Sequence, residues 1–231
     1  RAPEGPRDRQ LMMGDTVTVY EDSSGLSYVQ SLKDAYCGYV ASSALGDLSP
    51  LTHWVSALAT QVYAAPDIKS NDIMTLSFGS QIKGLSEGIK FVETSFGYVP
   101  KQHLSLESRR ASDPSEIARQ FLGVPYLWGG NSGFGIDCSG LVQASYLACG
   151  RPCPADSDQQ CGALGKSLPE NSNFQKGDLL FWKGHVAMVL DPETMIHATA
   201  HYMSVVVENI YDAISRIDDQ GEGPLLAHKR P

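Results

Sequence analysis

The spacing of apolar positions changes several times along this chain, and each change marks a different kind of element. Near the middle, Leu141, Val142, Tyr146 and Cys149 recur at helical spacing, and Gly150 stands where such a helix stops. A second helical stripe is formed by Ile117, Ala118, Phe121 and Leu122. Ser112 or Asp113 can cap it, Pro114 suits its first turn and Gly123 ends it. Between 177 and 198 the pattern shortens to apolar runs, which predict strands over 179–182, 185–190 and 195–198. Asp191-Pro192 opens the turn between the last two.

The first 106 residues lack helical periodicity. Their short runs rich in Val, Tyr, Phe and Gly, broken by turn residues, predict small antiparallel barrels. An internal echo divides them. Gly38-Tyr39-Val40 precedes Leu45 by the interval at which Gly97-Tyr98-Val99 precedes Leu104, and L-M-M-G-D-T-V-T-V (11–19) echoes L-S-F-G-S-Q-I-K-G (76–84). The predicted units are 1–50 and 51–106. An opening strand over 54–66 has a place only in the second, so the first is expected to be cut short at its start or completed by something else. A polar, turn-rich linker (105–114) leads into a third unit, 107–231.

That unit is organised around V-P-Y-L-W-G-G-N-S-G-F-G-I-D-C-S-G (124–140), which holds five glycines. Cys138 falls on the first turn of the predicted helix, with Asp137 as its N-cap. Unpaired backbone N–H groups and the positive end of the helix dipole there favour thiolate, the nucleophilic form. A buried core cysteine is the competing reading, but core packing does not call for a glycine-rich approach loop. A nucleophilic thiol needs a base, and the base needs an orienter. Of the six histidines, His185 and His197 form the best pair, twelve residues apart on two predicted strands. That even interval places them on one face only if the loop between the strands is odd in length or one strand bulges. A two-residue loop at Pro192-Glu193 would put them on opposite faces.

The motifs P-Y-x-W-G-G, G-x-D-C-S-G-L, G-D-L-x-F-W, H-V-A-M-V and M-I-H-A occur in that order over 115–231, about half the chain. In this they resemble the NlpC family of papain-like cell-wall cysteine peptidases. The resemblance implies Cys138 as nucleophile, His185 as general base and His197 as the residue that orients it. His185 would either take the thiol proton or hold an existing ion pair. No metal or cofactor is implied. Asp137 and Ser139 would help hold the peptide, Asp137 also serving as cap, and Ser157 falls where a substrate-binding serine is expected, with a helix N-cap as its alternative role. The arginine that often precedes that serine is replaced by Pro154-Ala155-Asp156, leaving Arg151 or Lys166 as candidate substitutes.

The two leading units resemble bacterial SH3-like domains, which often precede NlpC-type domains. The expected fold class is therefore α+β: a papain-like (NlpC-type) catalytic domain preceded by two small all-β SH3-like barrels. In family members built this way the first barrel closes one end of the cleft and supplies a Tyr and an acid to a free amine. Tyr39 and Glu4 are the candidates. The implied substrate is a bacterial wall peptide, L-Ala-γ-D-Glu-diamino acid, cut between γ-D-glutamate and diaminopimelate or lysine. Two other readings stay open: a wall-peptide-binding protein with an inert C-terminal domain, and an amidase or acyltransferase of the same fold.

Composition narrows the partners. The net charge of −8 argues against nucleic acid, and no apolar run approaches eighteen residues, so no membrane span is expected. The odd number of cysteines, five, suits a reducing compartment better than a disulfide framework. Cys149, Cys153 and Cys161 are spaced C-x3-C-x7-C, which matches no common zinc pattern. The first ten residues lack the apolar core of a signal peptide. A cytoplasmic location is therefore expected, although the chain does not begin with Met and removal of upstream residues stays open.

Overall fold

A computed structural model describes residues 5–231 and divides the chain into two compact units, Arg1–Arg110 and Ala111–Pro231. In the first unit, β1 (Val17–Ser23), β2 (Leu26–Ser31) and β3 (Cys37–Ala41) form an antiparallel meander. Next come β4 (His53–Val55), β5 (Ala59–Tyr63), β6 (Asp72–Ser77) and β7 (Gln81–Ile82). They are followed by β8 (Ser86–Glu87), β9 (Phe91–Thr94), β10 (Gly97–Pro100) and β11 (Leu104–Leu106). These eight make a five-stranded sheet, β6-β5-β10-β9-β8, and a three-stranded sheet, β11-β4-β7.

The unit is all-β, but its sheets are open and do not close as barrels. Closure needs a continuous ladder from first strand to last. Among the described residues β1 and β3 each pair only with β2, and the two-residue strands β7 and β8 end their sheets. The single strand expected over 54–66 is two, β4 and β5. It breaks where the amides of Ser56 and Ala57 turn away to the His103 carbonyl, at 2.9 and 3.3 Å. The internal echo has a structural counterpart. Each Gly-Tyr-Val strand, β3 and β10, runs into a single 3₁₀ turn, Ser42–Ala44 and Lys101–His103. Val55, Val62, Leu76, Ile82 and Val99 form a core of this unit.

The second unit begins with α1 (Pro114–Gln120), whose N-cap Asp113 accepts from the Ser115 amide at 2.9 Å. A glycine-rich hairpin, β12 (Asn131–Ser132) and β13 (Gly135–Ile136), leads directly into α2 (Cys138–Ala148). Then come α3 (Ser157–Ala163), β14 (Lys166–Ser167), β15 (Leu179–Trp182) and β16 (His185–Val189). The chain continues through β17 (Thr194–Thr199), β18 (Ser204–Asn209), α4 (Ile210–Asp219) and β19 (Ala227–Arg230). The sheet is antiparallel, in the order β14-β19-β15-β16-β17-β18. Helix α2 packs on α1, β16 and β17. Ile210, Ala213 and Ile217 of α4 share a core with Leu180, Trp182, Ala187, Val189 and Met195. Among the described residues no helix is long and apolar enough to cross a membrane.

Two sequence features are explained by close approach and by burial. A Cβ on Gly140 would lie 2.5 Å from the Gly130 carbonyl oxygen and 3.0 Å from Asp137 Oδ1, so the hairpin can lie against the start of α2 only if this residue has no side chain. Asp178, at the entry to β15, is 1% exposed and is satisfied on every side. It accepts from His228 Nε2 at 2.7 Å, from Arg230 Nε and Nη2 at 2.8 Å each, and from the Gln175 amide at 2.9 Å. Burial alone would raise the carboxyl pKa, but the hydrogen bonds from Arg230 and His228 outweigh it and hold the pKa below the ordinary value.

Two outcomes are expected. Asp178→Ala should cost about 3 kcal/mol at pH 7, because it leaves the Arg230 guanidinium without its counter-charge and His228 Nε2 without its hydrogen-bond partner. That contribution is present above the unfolded Asp pKa of about 4 and is lost as pH falls through the lower folded value. Urea melts of both proteins should therefore converge in acid, and an equal gap at pH 7 and pH 2.5 would refute the assignment. Gly140→Ala should destabilise by about 1–3 kcal/mol through overpacking against backbone. An unchanged melting temperature would show that the hairpin yields freely.

Candidate active site

The site starts from one carboxylate. Asp137 has the extended backbone of an N-cap (φ −97°, ψ 179°). Its Oδ1 accepts from the Gly140 amide at 2.6 Å and from Ser139 Oγ at 3.1 Å, and its Oδ2 accepts from the Gly129 amide at 3.0 Å. Asp137 thus fastens the glycine-rich loop to the first turn of α2 and fixes Cys138 as the first helical residue. Cys138 is 7% exposed, so the sulfur is sheltered without being sealed. Its thiol points to the Gly184 carbonyl oxygen at 3.8 Å. Gly184 (φ +73°) lies in the tight turn joining β15 to β16, where Trp182 pairs with His185. The sulfur therefore sits at the start of the strand that carries His185.

The two histidines meet because the turn between their strands is odd. The ladder pairs Met188 with Ile196 and Val189 with Met195. Leu190 donates to the Thr194 carbonyl at 2.8 Å, leaving a three-residue loop, Asp191-Pro192-Glu193. Extending that register sets His197 opposite Ala187, two residues from His185 and on the same face. His185 Nε2 lies 2.8 Å from His197 Nδ1.

The row continues beyond the predicted pair. His197 is fully buried, and its Nε2 lies 2.7 Å from Glu208 Oε2. Arg216 of α4 clamps that carboxylate, with Nη2 2.7 Å from Oε2 and Nε 3.2 Å from Oε1. The Tyr202 hydroxyl donates to Oε1 at 3.3 Å. Burial lowers the His185 pKa to about 3, helped by the electrostatic influence of the neighbouring His197 ring and the Arg216 guanidinium. Burial would raise Glu208, but hydrogen bonds from His197 and Arg216 bring it to about 2. At neutral pH the row holds a neutral His185 and an ionised Glu208.

The remaining candidates are distributed more widely. Ser139 is buried beside Asp137. Ser157 is the first residue of α3, whose N-cap is Asp156, so Ser157 is not the cap. Gln160 of the same helix is buried and donates to the carbonyls of Ser139 at 2.9 Å and Pro154 at 3.0 Å, joining α3 to the nucleophile's turn. Arg151 lies past the C-terminal end of α2, roughly 16 Å of helix from Cys138. Lys166 is on β14, three strands from β16, or roughly 14 Å. Tyr39 is on β3 of the first unit, its ring 5.1 Å from that of Tyr28. Glu4 lies outside the described residues.

Sequence reasoning missed Glu208, Arg216 and Tyr126. Glu208 shares the inward face of β18 with Val206, the cross-strand partner of His197, a position that only the register reveals. Tyr126 belongs to the P-Y-x-W-G-G motif. Burial first, and then the charge of Cys138 and Asp137, raise its phenol pKa, so it stays protonated at neutral pH.

Residues 123–217 match the NlpC/P60 family, and residues 1–45 match the bacterial dipeptidyl-peptidase SH3 domain. Over 105 residues the chain is 38% identical to a gamma-D-glutamyl-L-lysine dipeptidyl-peptidase of Bacillus cereus, covering 42% of this chain and 31% of that protein. Over 164 residues it is 30% identical to dipeptidyl-peptidase 6 of Lysinibacillus sphaericus, covering 64% of this chain and 60% of that one. The chain thus spans less than two thirds of either relative. The crystal structure of an NlpC/P60 family protein from Bacillus cereus shares the fold, with a TM-score of 0.79 and 24% identity over 96% of this chain and 81% of that one. The chain carries an NlpC/P60 domain of papain-like fold in its second unit, with a bacterial dipeptidyl-peptidase SH3 domain at its start.

Proposed function

We propose that this protein is a cysteine peptidase that hydrolyses the amide between γ-D-glutamate and a diamino acid, diaminopimelate or lysine, in bacterial wall peptides. The observation that carries the reading is the hydrogen-bonded row His185–His197–Glu208 at the start of β16, beside a helix-start thiol. Cys138 is the nucleophile, His185 the base and His197 its orienter. A neutral His185 and a thiol turned to a carbonyl favour general-base activation over a standing ion pair. In the reaction His185 removes the thiol proton as sulfur attacks the carbonyl carbon. The Cys138 amide and the Tyr126 phenol are the candidate donors to the oxyanion. His185 then protonates the departing amine. It next takes a proton from water, whose oxygen attacks the thioester carbonyl; the C–S bond breaks and the Cys138 thiolate takes that proton back from His185.

Support for the substrate comes from the relatives, one of which is named for γ-D-glutamyl-L-lysine. Asp137, Ser139 and Ser157 are the candidate peptide contacts in the NlpC/P60 domain. The substrates we propose are released muropeptides with a free N-terminal L-Ala, and with them a recycling role in the cytoplasm.

The direct test is incubation with L-Ala-γ-D-Glu-diaminopimelate and its lysine counterpart, read by mass spectrometry. L-Ala-γ-D-Glu and the free diamino acid are expected from the intact protein. Cys138→Ala should abolish the reaction, and His185→Ala should lower kcat by about 10²- to 10⁴-fold. Cleavage that survives Cys138→Ala would overturn the proposal. Because His185 remains unprotonated well below the ordinary histidine range, the acid limb of kcat/KM should lie below about pH 5. A limb near pH 6.5 would contradict the assigned base.

A further inference from the structure

We infer that Glu208, clamped by Arg216, is a positioning residue that fixes the tautomers of both His197 and His185 and thereby leaves His185 Nδ1 as the basic nitrogen. The consequence for catalysis rests on the peptidase reading above, whereas the tautomers do not.

The polarity of the row is set at its charged end. Arg216 donates to both oxygens of Glu208 and cannot accept, so the carboxylate is held ionised and acceptor-only. Tyr202 adds a third donor. Across the 2.7 Å contact His197 must therefore supply the proton, from Nε2. A neutral imidazole carries one N–H, so His197 Nδ1 is then a lone pair. Across the next contact, at 2.8 Å, His185 must in turn donate from Nε2. Its Nδ1 is left as the lone pair able to take a proton from sulfur. With no carboxylate at the far end, the same two rings could hydrogen-bond equally well in the reverse sense, with His185 Nδ1 protonated and useless as a base.

The fold builds this polarity from three elements. β17 and β18 set Glu208 diagonally across from His197 on one face, since Met195 pairs with Glu208 and His197 with Val206. Helix α4 shares the core that contains Ala187, Val189 and Met195, and from there Arg216 reaches the carboxylate. Its guanidinium also lies 5.6 Å from the Tyr202 ring centre, a second restraint on its position.

Long-range ¹⁵N–¹H spectra of histidine-labelled protein at pH 7 report which ring nitrogen carries hydrogen. The expected result is the Nε2–H form for both His185 and His197. An Nδ1–H form of either ring, or a His197 protonated on both nitrogens, would overturn the inference. Glu208→Gln offers His197 an amide that can donate, and should shift both rings toward Nδ1–H. It should lower kcat at least about 10-fold with little change in KM, and Glu208→Asp should restore part of the loss. Unchanged tautomers and kcat in Glu208→Gln would also overturn it. The spectra need no turnover, so the expected tautomers in a protein that cleaves no wall peptide would refute the peptidase reading alone. Turnover with the wrong tautomers would refute this inference alone.

Discussion

A side chain on a β-strand faces one side of its sheet, and a shift of one residue in register sends it to the other. The site depends on that constraint. His185 and His197 lie on neighbouring strands, and the three-residue turn Asp191-Pro192-Glu193 sets their parity. A turn one residue shorter would leave each strand intact and separate the rings by the thickness of the sheet. Asp191 secures the turn: its Oδ1 accepts from the Glu193 and Thr194 amides and its Oδ2 from the Thr194 hydroxyl. The chemistry of the histidines thus rests on hydrogen bonds made by a residue that takes no part in it.

Cys138 is placed by a second, independent device. Asp137 caps α2 and ties down the preceding loop, and the glycines let backbone meet backbone where a Cβ would collide. Magnitudes show why this placement does not suffice. A charge at a helix N-terminus gains about 0.3–1 kcal/mol, less than the 1.36 kcal/mol of one pKa unit, whereas an ordinary thiol must move by more than a unit to ionise below pH 7. The helix start presents the sulfur and favours its anion, and a base must complete the ionisation. Burial keeps His185 neutral and available for that task.

Much of this was legible in the sequence because it is local. The cap at Asp137, the helix that follows, Pro114 in the first turn of α1 and the strands around His185 and His197 all follow from spacing within a dozen residues. What stayed hidden depends on pairing. Glu208 and Arg216 look like ordinary surface charges on β18 and α4 until the register sets one beside His197 and the helix brings the other to it. The leading sheets announced their strands by composition, yet whether an edge is paired is a long-range property, and these sheets stay open.

In the proposed reaction the Cys138 sulfur forms a covalent bond to the γ-glutamyl carbonyl during turnover. The most direct measurement is acid quenching of the protein with L-Ala-γ-D-Glu-diaminopimelate in the millisecond range, followed by peptide mapping. The account predicts an L-Ala-γ-D-Glu acyl group on Cys138 that appears before free product and decays with it. An acyl group mapped to any other residue, or steady product release with no adduct at Cys138 at any time, would contradict it.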